Sequence, residues 1–269
     1  MTRPFPVLGR TDCIAIEGAA ARDFAHAQFS GDVNALMAQR WQWNAWLTPS
    51  GRVRALLQLV DAGDGRLLAV LRGGSAENIC AGLSRYLLRT RATLRVVTLT
   101  ARAGAALTAG STRVERGSLV LGLGERSLRL DCATDAEPDV AAQAAWRLAD
   151  IDAGWPTLTA QTESMFLPPA LGLERMGAVA FDKGCYPGQE IATRIHHRDA
   201  CKYRLFHVRG RVPVASGSAA QGTSAAGPWI VDQVVHGHTS DALIVAPRNS
   251  GSSISALHDT YDVVSMFHA

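Results

Sequence analysis

The sequence predicts an α+β protein in which two mixed units are followed by a small all-β module. Strands, helices and hairpins recur along residues 1–200, which favours two mixed α/β units over one doubly wound sheet. Beyond residue 200, short strands joined by Gly-rich and Ser-rich stretches replace the helical pattern, as in a small barrel. The length of 269 residues is enough for about two domains with a sizeable core. We therefore predict one region at 1–200, which holds both interleaved units, and a small β-barrel at 201–269.

The elements of the first unit follow from periodicity and turn chemistry. In chain order we predict a helix over 19–29, strands over 43–47, 53–60 and 67–71, and a helix over 75–89. Phe24, Gln28 and Phe29 share one face of the first helix, and Asp32 can cap the turn that follows it. Residues 48–51 (T-P-S-G) have the Pro and Gly positions of a type I turn, so the first two strands form a hairpin.

The second unit and the C-terminal module are assigned in the same way. We predict strands over 94–100, 118–123 and 127–131, an Ala-rich helix over 101–109, a helix over 139–148 after Pro138, and C-terminal strands over 203–208, 229–236 and 241–246. The Gly/Ser/Ala stretch at 215–227 predicts a flexible loop.

Composition excludes several classes of protein. Hydrophobic residues make up 47% and charged residues 19%, which is typical of a globular chain. The longest apolar runs, such as residues 67–71, are too short to span a membrane, and the N-terminus lacks a signal-peptide core, so we expect a cytoplasmic protein. The net charge of +3 comes from scattered basic residues, which suits a small anionic ligand and does not indicate direct nucleic-acid binding.

Five cysteines are present, and no two have C-x-x-C spacing. The odd number and the spacing argue against a disulfide framework and against a metal or iron–sulfur site built from cysteine. We therefore predict no metal site and interpret four of the cysteines as buried apolar residues.

Cys185 differs because residues 181–194 (F-D-K-G-C-Y-P-G-Q-E-I-A-T-R) place it before a predicted helix. Pro187 suits the first helical position, and Glu190 and Arg194 have the spacing of an i,i+4 ion pair. The helix N-terminus and Lys183 would favour the Cys185 thiolate. The alternative is a structural cysteine in a Gly-containing turn. His196 and His197 do not share a helix face, which favours a solvated helix end over metal ligands.

The same segment resembles a known family. Residues 183–190 (K-G-C-Y-P-G-Q-E) match the K-G-C-Y-x-G-Q-E signature of the YgfZ proteins, which are folate-binding relatives of the glycine cleavage T-protein. Five further stretches resemble family motifs: Phe24 with 28–33 (Q-F-S-G-D-V), 49–52 (P-S-G-R), 87–91 (L-L-R-T-R), Trp146 with 149–156 (A-D-I-D-A-G-W-P), and 166–168 (F-L-P). The resemblance spans about residues 15–210. The chain departs from it at Pro169 and Gly172, where the family has Gln and Asn.

The resemblance implies a T-protein-like fold, with two units around a central channel that holds tetrahydrofolate or a one-carbon derivative of it. Asp152 falls where the family has the acidic residue of the pteridine site, and a carboxylate can accept two hydrogen bonds from an aminopyrimidine edge. By the same resemblance, the signature segment contributes the reactive or regulatory thiol of Cys185 and further folate-binding residues: Lys183, Gly184, Tyr186, Gln189, Glu190 and Arg194.

The function that the resemblance implies is that of an accessory protein for iron–sulfur enzyme assembly or repair, linked to tRNA modification. Its expected partners are a reduced folate and possible iron–sulfur clients or assembly factors, and we expect a monomer or weak dimer. A folate-dependent aminomethyl or methyl transferase is the alternative. T-proteins carry an Asp pair after the P-x-G turn, and this chain has Ala55 and Leu56 there, which cannot carry a proton. A regulatory folate-binding module without chemistry also remains open.

Overall fold

The computed structural model describes residues 5–211, 228–249 and 261–267. These residues form two antiparallel sheets and four α-helices. The strands are β1 (Val7–Glu17), β2 (Trp41–Leu47), β3 (Val53–Gly63), β4 (Arg66–Leu71), β5 (Thr93–Gly104), β6 (Thr112–Glu115), β7 (Ser118–Gly122), β8 (Ser127–Cys132), β9 (Tyr203–Gly210), β10 (Trp229–His236), β11 (Thr239–Pro247) and β12 (Tyr261–Phe267). The helices are α1 (Ala21–Gln28), α2 (Ala76–Ser84), α3 (Val140–Asp152) and α4 (Gln189–Arg198), with 3₁₀ turns at Val33–Ala35 and Pro168–Leu171.

The larger sheet has eight strands in the order β2-β3-β4-β1-β5-β8-β7-β6, so the strands of both predicted units belong to one sheet. The sheet curls until its two edges meet. Trp41 N donates to Gly110 O at 2.9 Å, Thr112 N donates to Gln39 O at 2.8 Å, and Arg40 forms a bridge with Ser111. A curled sheet of this kind has an inner and an outer face, and alternate residues of each strand point to opposite faces.

Two apolar clusters cover these faces. The inner cluster joins side chains from strands that are far apart in the sheet, such as Trp43, Val70 and Leu121, and includes Ile151 of α3. The outer cluster holds α1 and α2 against the sheet. Neighbours such as Leu56 and Leu57 fall in different clusters, as the two-residue period of a strand requires.

The second sheet has the order β10-β11-β9-β12 and packs against α3. Asp232 of β10 is buried, accepts a hydrogen bond from Thr157 N at 3.0 Å and pairs with Arg147 of α3. The predicted boundary at residue 200 lies in the connection between α4 and β9. α3 is therefore the element that links the large sheet to the small one.

Most predicted elements are confirmed, including the hairpin turn, in which Gly51 N donates to Thr48 O at 2.8 Å. The predicted helix over 101–109 is wrong, because residues 101–104 continue β5. The helix predicted to reach residue 89 ends at Ser84, and α3 extends to Asp152. β1, β6 and β12 were not predicted, and the loop at 215–227 lies outside the described residues. Within the described ranges, no helix has the length and apolar character needed to cross a membrane.

Candidate functional site

A cavity of about 310 Å³ lies between β1, the end of β4 and α3. Its charged and aromatic lining residues are Arg10, Asp12, Arg72, Trp146, Arg147 and Asp150. A neighbouring cavity of about 170 Å³ shares Arg72, Trp146 and Arg147 with it and adds the amides of Gln58 and Gln143. The two volumes thus form one polar and aromatic site beside α3.

The helical period of α3 produces one wall of this site. Gln143, Trp146, Arg147 and Asp150 lie at i, i+3, i+4 and i+7, so they share a helix face. Asp139 fixes the start of the helix, because its carboxylate accepts a hydrogen bond from Ala142 N at 3.0 Å.

The opposite wall depends on Gly73, which follows β4. Gly73 has a φ of +84° and forms a parallel bridge with Leu158. A Cβ at this position would lie 1.9 Å from Leu158 O, so only glycine permits this approach. The approach brings the segment after α3 beside Arg72.

Asp150 is the electrostatic centre of the site. Its carboxylate is buried and accepts hydrogen bonds from Arg72 Nη1 at 2.9 Å and from Arg126 Nη2 at 2.6 Å. The Arg126 guanidinium also stacks on Trp146, 4.2 Å from the ring centroid. Because one carboxylate orients two guanidinium groups, the arginines are held in fixed positions before any ligand arrives.

Two polar groups at the cavity are not fully paired among the described residues. Arg72 Nε is buried and has no hydrogen-bond partner among the described residues. Asp12 accepts one hydrogen bond, from Thr98 Oγ1 at 2.7 Å. With three arginines and two aspartates around Trp146, the cavity suits an anionic aromatic molecule.

The signature segment lies elsewhere, against the C-terminal end of α1. The Lys183 ammonium donates to His26 O, to Phe29 O at 2.6 Å and to Gly31 O at 3.0 Å. The carbonyls of His26 and Phe29 belong to the end of α1, where backbone acceptors lack partners within the helix, and that of Gly31 lies in the turn after it. Burial lowers the pKa of Lys183 to about 8, although the nearby Asp32 carboxylate raises it. The Lys183 ammonium thus binds the backbone at the end of α1 and in the turn after it.

Two more signature side chains bind backbone. Tyr186 is buried and donates to Ala180 O at 3.1 Å, and burial raises its pKa to about 12. Gln189 Nε2 donates to Lys183 O at 3.2 Å. The loop is therefore fixed largely by its own side chains.

Cys185 is exposed at the surface of this loop, next to Gly184, which faces His26. Of the four cysteines predicted to be buried, Cys13 and Cys201 are buried, but the prediction is wrong for Cys132, which is exposed, and Cys80 is only partly buried. The predicted start of the helix was wrong: α4 begins at Gln189, four residues after Cys185. Glu190 and Arg194 are exposed and do not form the predicted ion pair.

Four more residues that the sequence singled out have the following places in the fold. Asp152 is the last residue of α3, with a half-exposed side chain 3.6 Å from His207 of β9. Ala55 and Leu56 are both fully buried, on opposite faces of the large sheet. His196 binds Glu174 at 2.9 Å and stacks on Phe181.

The structure does not bring the predicted site residues together. Asp152 and residues 183–194 lie in different places, and neither lines the cavity. The ligand roles of Asp152, Lys183, Gly184, Tyr186, Gln189, Glu190 and Arg194 stay predictions. Sequence reasoning missed the arginines of the cavity and Asp150. The i, i+3, i+4, i+7 spacing on α3 is the signal that could have found Gln143, Arg147 and Asp150.

Comparisons with known proteins point to the same family as the signature. No protein-family model matches the sequence. The tRNA-modifying protein YgfZ of Cronobacter sakazakii is 36% identical over 92 residues, which is 33% of this chain and 28% of that protein. The YgfZ protein of Buchnera aphidicola is 46% identical over 61 residues, or 23% and 19% of the two chains. These matches support the YgfZ family.

Two longer matches define how far the likeness extends. An uncharacterized protein of Haemophilus influenzae is 26% identical over 209 residues, 75% of this chain and 72% of its own. The glycine cleavage system aminomethyltransferase T of Bartonella henselae has a TM-score of 0.68 over 88% of this chain and 76% of its own, at 14% identity. The fold is thus that of the T-protein. The chain matches less than a third of the length of the two YgfZ relatives.

Proposed function

We propose that this chain binds a reduced folate, tetrahydrofolate or a one-carbon derivative, in the cavity beside α3. The observation that carries the proposal is the set of Arg10, Arg72 and Arg147 around Trp146 in one preformed cavity. A reduced folate combines planar rings, the aminopyrimidinone and the benzoyl group, with a carboxylate tail. Trp146 offers a face for the ring, and guanidinium groups pair with carboxylates in fixed geometry. The T-protein fold and the YgfZ relatives support this choice of ligand.

Calorimetric titration with tetrahydrofolate and with 5-formyl-tetrahydrofolate tests the proposal. We expect binding by the intact protein and about tenfold weaker binding in Arg147→Met, because one charge-assisted contact is lost. Arg147 also pairs with the buried Asp232, which keeps its hydrogen bond from Thr157 N in this variant, so a thermal unfolding curve must first show that the variant folds. Asp152→Ala tests the predicted pteridine contact separately.

Arg66→Met is the matched control, since Arg66 is an exposed arginine outside the cavity. Equal weakening in Arg66→Met and Arg147→Met would mean that the ligand binds elsewhere. No binding of either folate would overturn the proposal.

We further propose that folate binding serves the assembly or repair of iron–sulfur enzymes, with Cys185 as the reactive or regulatory thiol. The exposure of Cys185 supports this role, because a buried thiol such as that of Cys13, whose pKa burial raises to about 12, is inert. In cells that lack the protein, Cys185→Ser should fail to restore iron–sulfur enzyme activity, whereas Cys132→Ser, also at an exposed cysteine, should restore it. Full restoration by Cys185→Ser would favour a regulatory folate-binding module.

A transferase is the second candidate, and one observation favours it. The buried Ala55 and Leu56 cannot act as acids, yet Asp12 supplies a carboxylate within the cavity. If the chain transfers an aminomethyl or methyl group, Asp12→Asn should lower turnover without weakening folate binding. Absence of turnover in the wild-type protein would remove this candidate.

A further inference from the structure

His207 of β9 lies between two carboxylates that belong to different parts of the molecule. Its ring is 1% exposed, and its Nε2 lies 2.5 Å from Asp241 Oδ1 of β11. Its Nδ1 lies 3.6 Å from Asp152 Oδ1 at the end of α3. The imidazole is therefore the group that connects the small sheet to the last turn of α3 at this point.

Asp241 already has a full set of donors. It accepts from His236 Nε2 at 2.5 Å and from Arg209 Nε at 2.9 and 3.1 Å, in addition to His207. Burial raises the pKa of Asp241, but the hydrogen bonds of His236 and His207 and the charge of Arg209 outweigh this effect and lower it. Asp241 thus stays ionised and fixes one side of the His207 ring. The Arg209 guanidinium also opposes a metal cation at this cluster.

The protonation state of His207 then decides what its other side can do. A neutral imidazole has one N–H, which Asp241 takes, so its Nδ1 lone pair faces the Asp152 carboxylate. The imidazolium carries a proton on both nitrogens and attracts both carboxylates.

We propose that His207 is a proton-linked positioning residue, which ties the end of α3 to the C-terminal sheet when it is protonated. α3 carries Trp146, Arg147 and Asp150 of the cavity, so the tie affects how firmly this wall is held. The effect on ligand affinity rests on the proposed function, whereas the tie itself does not.

The sign of the pH dependence follows from these groups. Asp241 stays ionised because its hydrogen bonds and the charge of Arg209 lower its pKa. The tie is present where His207 carries a proton on both nitrogens and is lost where the imidazole is neutral, so it favours the lower pH. The other charged groups here are Arg209 and His236, which bind Asp241, and Arg175, which donates to the carbonyls of Ala153 and Gly154.

A double-mutant cycle tests the tie without any ligand. Urea unfolding is measured for wild type, Asp152→Asn, His207→Gln and the double variant at about pH 5.5 and about pH 8.5, on either side of the usual histidine range. We expect the two substitutions to be coupled at the lower pH and additive at the higher pH. Equal coupling at both values, or none at the lower one, would overturn the proposal. His207→Gln keeps a donor for Asp241 and removes the titrating group.

If His207→Gln does not fold, Asp152→Asn alone suffices. It should destabilise the protein at the lower pH and should not destabilise it at the higher pH, where the Nδ1 lone pair faces position 152, and Asp135→Asn, at an exposed aspartate, is the control. Stabilisation of the wild type by added zinc, abolished by EDTA, would identify the cluster as a metal site and overturn the proposal.

Titration with tetrahydrofolate at the same two pH values measures how the tie affects binding in the cavity. We expect affinity about fivefold higher at the lower pH in the wild type, and no such change in His207→Gln. A pH change that persists in His207→Gln would overturn this role. Coupling between Asp152 and His207 without any folate binding would support the tie and overturn the proposed function.

Discussion

Lys183 is one of only two lysines among the 27 lysine and arginine residues of the sequence. Its ammonium meets three carbonyls that point at it from the end of α1 and the turn after it. The three donors of a compact ammonium are arranged tetrahedrally around one nitrogen, whereas the N–H groups of a guanidinium all lie in one plane. The residue type is thus explained by the geometry of its acceptors.

Lys183→Met should therefore destabilise the protein by about 2 kcal/mol, because carbonyls at the end of α1 lose their donor. Lys183→Arg should restore little of this loss. Urea unfolding measures both variants, with Lys202→Met as the control, since Lys202 is the other, exposed lysine. If Lys202→Met were as destabilising as Lys183→Met, the hydrogen bonds of the Lys183 ammonium would have no special role in stability.

The candidate site was only partly predictable from single residues. The signature identified the segment around Cys185, and the exposure of that cysteine agrees with a reactive thiol. The sequence could not show that Lys183 binds backbone, because its acceptors are 152 to 157 residues away in the chain. Tyr186 and Gln189 bind carbonyls only six residues away, but the loop conformation that brings these groups together is not evident from the sequence. Arg72 was missed for the same reason, since its partner Asp150 is 78 residues away.

At the scale of elements, the wrong prediction at 101–109 shows tertiary pairing overriding local preference. Alanine favours helices, but Ala101 pairs with Gly9 of β1 and with Leu130 of β8. The hydrogen bonds of two neighbouring strands outweigh a helix propensity of less than about 1 kcal/mol per residue. Helices α1, α3 and α4 were predictable because each begins and ends near polar or glycine residues.

The docking of the signature loop onto the hairpin turn is also an element-scale feature. Gly188 has a φ of +78°, and a Cβ there would lie 2.4 Å from Thr48 O and 2.8 Å from the Cα of Gly51. Gly188→Ala should cost about 3 kcal/mol, from the strained φ and the clash together.

Gly177→Ala is the matched control for that prediction. Gly177 has a φ of +67° but open space around it, so its substitution should cost only about 1 kcal/mol. Thermal unfolding of both variants compares them. Equal losses would mean that the loop does not depend on the close approach to the turn.

At the scale of the whole molecule, Asp150 joins three parts of the fold. It lies on α3, Arg72 follows β4, and Arg126 lies between β7 and β8. One buried carboxylate thus connects both halves of the large sheet to the helix that contacts the small sheet. Without the charge of Asp150, the largely buried guanidinium groups of Arg72 and Arg126 would lose their shared counter-charge and repel each other.

Asp150→Asn should accordingly destabilise the protein by about 3 to 5 kcal/mol, the usual effect of breaking a buried ion pair. Denaturant unfolding gives the value. Asp64→Asn, at an aspartate whose side chain is 90% exposed, should change stability by less than about 0.5 kcal/mol. A loss of similar size in both variants would show that Asp150 does not hold the three parts together.

The meeting of the two sheet edges has a consequence for biosynthesis. The edge at the start of β2, around residues 39–41, leaves the ribosome some 70 residues before residues 110–112, with which it forms backbone hydrogen bonds. Until those arrive, the nascent chain presents an unprotected strand edge flanked by tryptophans, which is the kind of surface that seeds aggregation. Because the two edges of the sheet meet across this separation, the fold is rich in contacts between residues far apart in the chain. We therefore expect slow refolding and dependence on chaperones during translation.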